Sequence, residues 1–177
     1  MKDERGAGRP SLPPSSFRLF TSSFVLRPSS FLSRYVPLVA WAGFVLFASS
    51  ASFSASNTSR IIRPLLLWLF PDISEGSLEY VHFLVRKTAH FSEYALLALL
   101  AARAFGTSRN EWLRRLWWPA AFALVACVAL TDEYHQSFLP SRTGTIYDSL
   151  LDMTGGAFAL ACAALWLWLK RRKASAD

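Results

Sequence analysis

Apolar residues are gathered into four blocks along this chain of 177 residues. Residues 35–53, 116–131 and 153–169 form runs of 19, 16 and 17 residues without a charged side chain. The fourth block, residues 85–105, is apolar but contains several ionisable side chains. A helix that spans a bilayer needs about 20 mostly apolar residues, and tryptophans stand near the ends of two blocks, as at membrane interfaces. The pattern therefore predicts membrane-spanning helices rather than the core helices of a soluble protein.

The predicted fold is all-α, an integral membrane four-helix bundle within residues 35–170. Its helices cover residues 35–53, 85–105, 116–134 and 148–169. Between the first two helices lies an apolar segment, residues 61–70, which is too short to span and ends before Pro71. This segment predicts a short interfacial helix between helices 1 and 2.

Both ends of the chain are predicted to be cytoplasmic tails. Residues 1–34 contain eight serines and four prolines, and Ser-Ser-Phe recurs there three times at a seven-residue period. Such a composition is typical of a disordered segment. Residues 48–52 resemble a signal-peptidase site, but the long segment before helix 1 is unlike a signal peptide, so we expect this helix to be retained. Residues 171–177 form the second tail.

The basic residues indicate an orientation rather than a nucleic-acid-binding surface. The chain has 19 Lys and Arg residues against 12 Asp and Glu, a net charge of +7. Fourteen of the 19, counting Arg103 at the inner margin of helix 2, lie before helix 1, between helices 2 and 3, or after helix 4, which are on one side in a four-helix topology. Because cytoplasmic loops carry the excess of positive charge, we expect a multi-pass plasma-membrane protein with both termini cytoplasmic. The expected partner is the lipid bilayer, and nucleic acid is excluded because the basic residues form no patch on a polar scaffold.

Ionisable and polar residues converge at the outer end of the predicted bundle. A charge at the centre of a membrane helix costs roughly 2.5–3.5 kcal/mol on insertion scales, so such residues are expected to face one another or a cavity. Helix 2 contributes Lys87, His90, Glu93 and Tyr94, helix 3 contributes Asp132, Glu133, His135 and Gln136, and helix 4 contributes Asp148 and Asp152, with Arg142 in the loop before it. We predict that Asp132, His135 and Gln136 share one face, and that Gly155 and Gly156 let another helix approach closely.

This outer cluster contains groups for catalysis, for binding and for metal coordination. General acid–base chemistry would use His90, Glu93, Asp132, Glu133 and His135. An anionic substrate would be bound by Lys87 and Arg142, with Tyr94, Gln136, Asp148 and Asp152 in the same pocket. The five candidate catalytic residues could also ligate a divalent metal ion, although their spacing matches no metal motif.

Three motifs in this cluster resemble those of the VanZ-like family. They are Lys87-Thr-Ala-His90-Phe-Ser-Glu93-Tyr94, Asp132-Glu133-Tyr-His135-Gln136-Ser-Phe-Leu-Pro-Ser-Arg142, and Asp148 four residues before Asp152. The resemblance covers residues 35–169 and implies a small bacterial membrane protein of the cell envelope, related to an accessory factor in teicoplanin resistance. It implies no particular reaction. Two positions depart from the family pattern, since Ser141 replaces a glycine and Asp152 stands where asparagine is frequent.

Three functions stay open on the sequence alone. The first is a hydrolase or transferase that acts at the outer leaflet on a lipid or a lipid-linked envelope precursor. The second is a protein that binds an anionic lipid, a lipid-linked precursor or a glycopeptide, with a role in antibiotic resistance. The third is a structural membrane protein whose cluster only fastens the bundle, through pairs such as Lys87–Glu93 and Arg142–Asp148. Buried ion pairs add little net stability compared with apolar packing, which disfavours this third function.

Overall fold

The part of the chain that the structure describes is mostly helical, with short non-helical connections such as residues 70–74 and 107–110. The computed structural model of the chain describes residues 31–49, 55–138 and 145–175. Six helices follow one another within these ranges: α1 (Phe31–Ala48), α2 (Ala55–Leu69), α3 (Glu75–Gly106), α4 (Glu111–Arg115), α5 (Trp117–Gln136) and α6 (Ile146–Ala174). The all-α prediction is therefore confirmed for these ranges, which contain no strand.

The helix that corresponds to predicted helix 2 is longer than its apolar block. It begins at Glu75 instead of residue 85, and its 32 residues make it about 48 Å long. The side chain of Ser74 accepts a hydrogen bond from the backbone N–H of Ser77, which caps the first turn. Hydropathy misses this first part because the residues are polar, although they form a continuous helix with the apolar ones.

The other helix ends also differ from their predicted positions. Helix α1 begins at Phe31, inside the predicted tail of residues 1–34, and α6 continues to Ala174, inside the predicted tail of residues 171–177. The interfacial segment predicted for residues 61–70 is confirmed as a helix, α2, which begins earlier, at Ala55. Residues 1–30, which hold most of the predicted disordered segment and of the Ser-Ser-Phe repeats, lie outside the described residues, as do residues 50–54, whereas residues 31–34 of that segment are helical.

Helix α3 is the central element, because α6, α5 and α1 all pack against it. Two glycines of α6 set the spacing of these helices. A Cβ atom added at Gly155 would lie 2.4 Å from the backbone oxygen of Phe91 in α3. A Cβ atom at Gly156 would lie 2.7 Å from a methyl group of Val125 in α5. The predicted close approach at both glycines is confirmed, and it brings the start of α6 against the middle of α3.

Two of the described helices, α1 and α6, are long and apolar enough to cross a membrane. Helices α3 and α5, which correspond to predicted spans 2 and 3, do not reach the same average hydropathy. The reason lies in their own residues, since α3 carries charged side chains along its length and α5 ends in Asp132 and Glu133. The predicted four-span bundle is therefore supported at two of its four helices.

Candidate functional site

Three helices bring one imidazole and two carboxylates together. His90 in α3, Asp132 in α5 and Asp152 in α6 each offer one nitrogen or oxygen atom, and these atoms lie within 4.8 Å of one another. The His90 Nδ1 atom is 3.6 Å from the Asp152 Oδ1 atom. Asp132 is 0% exposed and Asp152 is 1% exposed, whereas His90 is half-buried. We call these three residues the buried triplet.

The carboxylate of Asp132 is held by donors from three helical segments. Its Oδ2 atom accepts hydrogen bonds from the Ser49 hydroxyl at 2.7 Å, the Gln136 amide at 3.0 Å and the Tyr94 hydroxyl at 3.3 Å. All four residues are buried. Because the donors come from the end of α1, from α3 and from α5 itself, the orientation of Asp132 depends on the packing of the whole bundle.

The carboxylate of Asp152 has a different environment. It is buried, and neither of its oxygens has a hydrogen-bond partner among the described residues. The His90 imidazole lies beside it, with the Nδ1 atom 3.6 Å from the Asp152 Oδ1 atom. Burying a carboxylate without hydrogen bonds is costly, so this side chain requires a physical explanation.

A second group of charges surrounds the triplet. The Lys87 ammonium forms an ion pair with the Asp148 carboxylate at the edge of the site, where both side chains are about 30% exposed. Glu133 is buried near them, and its Oε2 atom has no hydrogen-bond partner within the described ranges. We call Lys87, Glu133 and Asp148 the rim. The charges that act on Asp152 are those of Asp132, Glu133 and Asp148, all negative, and that of Lys87. Among the described residues the site is therefore strongly acidic.

The structure does not place every predicted site residue in this cluster. His135 is exposed on α5, while Asp132, Glu133 and Gln136 are buried. The prediction that Asp132, His135 and Gln136 share one face is therefore wrong for His135. Helix α5 is rotated so that its inward face contains Asp132, Glu133 and Gln136, and His135 points away from it. Glu93 is half-buried, and the Trp41 indole N–H donates to its backbone oxygen at 3.0 Å.

Two further predictions about ion pairs have different outcomes. Lys87 was predicted to pair with Glu93, and the structure pairs it with Asp148. Arg142, predicted to bind an anion and to pair with Asp148, lies outside the described residues, as does Ser141.

Ser49 is part of the site, through its hydrogen bond to Asp132, and was not predicted. It stands at the end of an apolar run, and the only signal there is a small polar residue in a pattern that resembles a cleavage site.

An apolar groove begins beside the triplet and runs along α3 and α6. It encloses about 580 Å³, and its lining includes Phe91, Leu99 and Arg103 from α3 and Phe158, Cys162 and Trp166 from α6. Phe91 follows His90 directly, so the groove and the triplet are neighbours. From Phe91 to Arg103 the groove follows α3 for about 18 Å at about 1.5 Å per residue. This length is close to half of a hydrocarbon core about 30 Å thick.

Comparison with known proteins gives one match. A family model described as VanZ/LLP1 matches residues 34–168. This range contains the triplet, the rim and the groove. No curated protein and no solved structure matches the chain.

Proposed function

The chain belongs to the VanZ/LLP1 family, and from this premise we propose that it is an integral membrane protein that binds an anionic lipid of the cell envelope. The observation that carries this function is the adjacency of a polar site and an apolar groove. The rim offers an ammonium group to an anionic head group, and the groove offers a surface about 18 Å long to a hydrocarbon chain. A ligand with both parts is a lipid or a lipid-linked precursor, rather than a glycopeptide.

The distribution of side chains supports insertion in a membrane. Large apolar side chains such as Phe31, Val39 and Phe158 are exposed, whereas Asp132 and Asp152 are buried. Extensive exposed apolar surface is typical of proteins that contact lipid, and ionisable residues within membrane segments generally face the interior of a bundle. Four spanning segments are then formed by α1, the apolar part of α3, α5 and α6.

The end of α6 supports the proposed orientation. The Lys170 ammonium lies 4.2 Å from the centre of the Trp166 ring, and the Arg172 guanidinium lies 4.0 Å from that of Trp168. Tryptophans followed by basic residues are typical of the cytoplasmic interface. With both termini in the cytoplasm, the triplet lies near the outer face of the plasma membrane, and the groove runs from it toward the cytoplasmic interface, where Trp166 lines it.

The competing function is purely structural, with a cluster that only fastens the helices. The environment of Asp152 is evidence against it, because a buried carboxylate without hydrogen bonds destabilises a bundle. We therefore propose that the cluster serves ligand binding, and that binding of an envelope lipid or precursor underlies a role in resistance to envelope-directed antibiotics.

Lipid retention by the purified full-length chain tests this function. The protein is reconstituted with equal amounts of phosphatidylglycerol, a long-chain polyprenyl phosphate and phosphatidylcholine, and the retained lipids are measured by native mass spectrometry. We expect the anionic lipids to be retained about tenfold more tightly, which corresponds to about 1.4 kcal/mol. Equal retention of phosphatidylcholine would refute binding of an anionic head group.

The two native cysteines provide a matched pair of variants for the groove. Both are exposed, but only Cys162 lines the groove, whereas Cys127 lies on α5. Cys162→Trp would fill the groove, and we expect it to reduce lipid retention, while Cys127→Trp leaves retention unchanged. If both variants retain lipid like the original chain, the groove does not hold the hydrocarbon chain. Expression of the same variants in cells, with membrane level and antibiotic sensitivity scored separately, connects binding to resistance.

A further inference from the structure

We propose that His90, Asp132 and Asp152 form a binding site for one divalent transition-metal ion such as Zn²⁺ or Mn²⁺. Binding of the ion is independent of any lipid. We assign to this ion the role of attracting an anionic lipid head group to an otherwise acidic site, and this role rests on the proposed function.

The donor set and its spacing favour a metal ion. Imidazole nitrogen and carboxylate oxygen are ligands of Zn²⁺, and carboxylates also suit Mn²⁺. A tetrahedral ion with ligands at about 2.0–2.2 Å separates them by about 3.3–3.6 Å. The 3.6 Å between the His90 Nδ1 and Asp152 Oδ1 atoms is already close to this value. All three donor atoms lie within 4.8 Å of one another, so small side-chain movements would complete the site.

The burial of Asp152 is an independent observation that points to a cation. Its side chain is 1% exposed and is directed at His90, and both of its oxygens are without a hydrogen-bond partner among the described residues. Buried charges are generally paired or coordinate metals. A metal ion would supply the partner that the described side chains do not give this carboxylate.

The charge balance of the site leads to the same conclusion. The described part of the site contains four carboxylates, from Asp132, Glu133, Asp148 and Asp152, against the single ammonium group of Lys87. A divalent ion offsets two of these negative charges. Without it, an anionic head group next to Lys87 would meet repulsion from the carboxylates. Three protein ligands also leave coordination positions for water or for a phosphate oxygen.

The surroundings of the triplet have the features of a supporting shell. Hydrogen bonds from Ser49, Tyr94 and Gln136 orient the carboxylate of Asp132, and such outer partners are typical of metal-binding carboxylates. The close crossing at Gly155, one turn after Asp152, holds α6 against α3 next to His90. The donors are therefore positioned by rigid helices rather than by loops.

Metal content of the purified full-length chain tests the site. The protein carries a histidine-free affinity tag, is stripped with a chelator in detergent, is reloaded with Zn²⁺ or Mn²⁺, and is analysed by elemental mass spectrometry. We expect one ion per chain. Asp152→Asn and His90→Gln should bind the ion at least about tenfold more weakly. His135→Gln should retain it, because this imidazole is exposed and lies outside both the triplet and the rim.

Two measurements keep the test decisive if Asp152→Asn fails to fold. Asp152→His keeps a metal-ligating atom but removes the carboxylate, so we expect this variant to bind Zn²⁺. If Asp152 had only a structural role, histidine at this position would give no Zn²⁺ binding. Cobalt(II) bound to the original chain should give the visible absorption of a low-symmetry site with nitrogen coordination. A chain that holds no stoichiometric ion, or equal losses in His135→Gln and Asp152→Asn, would overturn the metal site.

The metal site and lipid binding can fail separately. Metal content is measured without added lipid, and lipid retention is measured on both metal-free and reloaded protein. Loss of anionic lipid retention on metal removal supports the bridging role. Unchanged retention in metal-free protein overturns that role and leaves the proposed lipid binding intact. Stoichiometric metal without any lipid selectivity supports the site and contradicts the proposed function.

Discussion

Helices α3, α5 and α6 pack together along their length, but the two ends of this packing are built from different residues. At one end the buried side chains are small and apolar, for example Ala101 and Ala121. At the other end the buried side chains include Asp132 and Asp152. Small residues let helix backbones approach closely and gain dispersion energy, whereas buried carboxylates lose hydration. We infer that packing at the apolar end stabilises the bundle, and that this stability offsets the cost of burying the carboxylates at the polar end.

The junction between the two ends lies at Gly155. This residue lies against the backbone of Phe91, which follows His90 of the triplet and lines the apolar groove. A change at the junction should disturb both ends, while changes farther into the polar end should affect function more than stability.

The largest expected effect is that of Gly155→Ala. Its Cβ would lie 2.4 Å from the backbone oxygen of Phe91, which cannot rotate away. We expect a loss of about 3 kcal/mol, the upper end of the range for overpacking, measured by unfolding in detergent. Gly43→Ala is the control, because a Cβ there meets nothing within 4 Å and alanine favours a helix by about 1 kcal/mol. Equal stability of the two variants would contradict a close crossing at Gly155.

An intermediate effect is expected for Tyr94→Phe, which removes a buried hydrogen bond to Asp132. The free energy of unfolding should fall by about 1 kcal/mol, and Zn²⁺ affinity should fall by about tenfold because Asp132 loses an orienting donor. Tyr35→Phe is the matched control, since its hydroxyl donates to Ser108, which lies outside the triplet and the rim. If both variants bind Zn²⁺ alike, Tyr94 does not orient a ligand. Calorimetric titration of metal-free protein provides the affinities.

The smallest change in stability is expected for Lys87→Met. Its ion pair with Asp148 is partly exposed, so the loss should be below about 1 kcal/mol and should shrink further at high salt. Retention of anionic lipid should nevertheless fall, because the ammonium group at the rim is lost. Arg63→Met breaks the exposed pair with Glu75 and is the control. If Arg63→Met loses as much lipid retention as Lys87→Met, the loss is not caused by removing the ammonium group of the rim.

Periodicity and charge in the sequence predicted much of the polar end. Lys87, His90 and Asp152 stand out because each is an ionisable residue in or beside an apolar block, where such residues are costly. The motif spacing also predicted the family, which the match over residues 34–168 confirms. The helical start at Glu75 was missed because hydropathy responds to apolar content, while a helix continues through polar residues that are well capped.

The misplacement of His135 and the omission of Ser49 share a physical cause. His135 and Glu133 lie two positions apart on α5, and the sequence contains no measure of how this helix is rotated about its axis. Rotation is decided by contacts with α3 and α6, such as that between Val125 and Gly156. Ser49 was missed for a similar reason, since only the packing of α1 brings its hydroxyl to Asp132.

The helical character of the chain, its apolar blocks and the gathering of ionisable residues near one end of several blocks can all be predicted from the amino-acid sequence. These properties are local, because they depend on side-chain chemistry and on spacing along one helix. That His90, Asp132 and Asp152 meet, and that His135 stays exposed, follows from the way the helices pack. The same packing also pairs Lys87 with Asp148. The reason is that convergence depends on the relative rotation and distance of separate helices, which close packing at residues such as Gly155 sets.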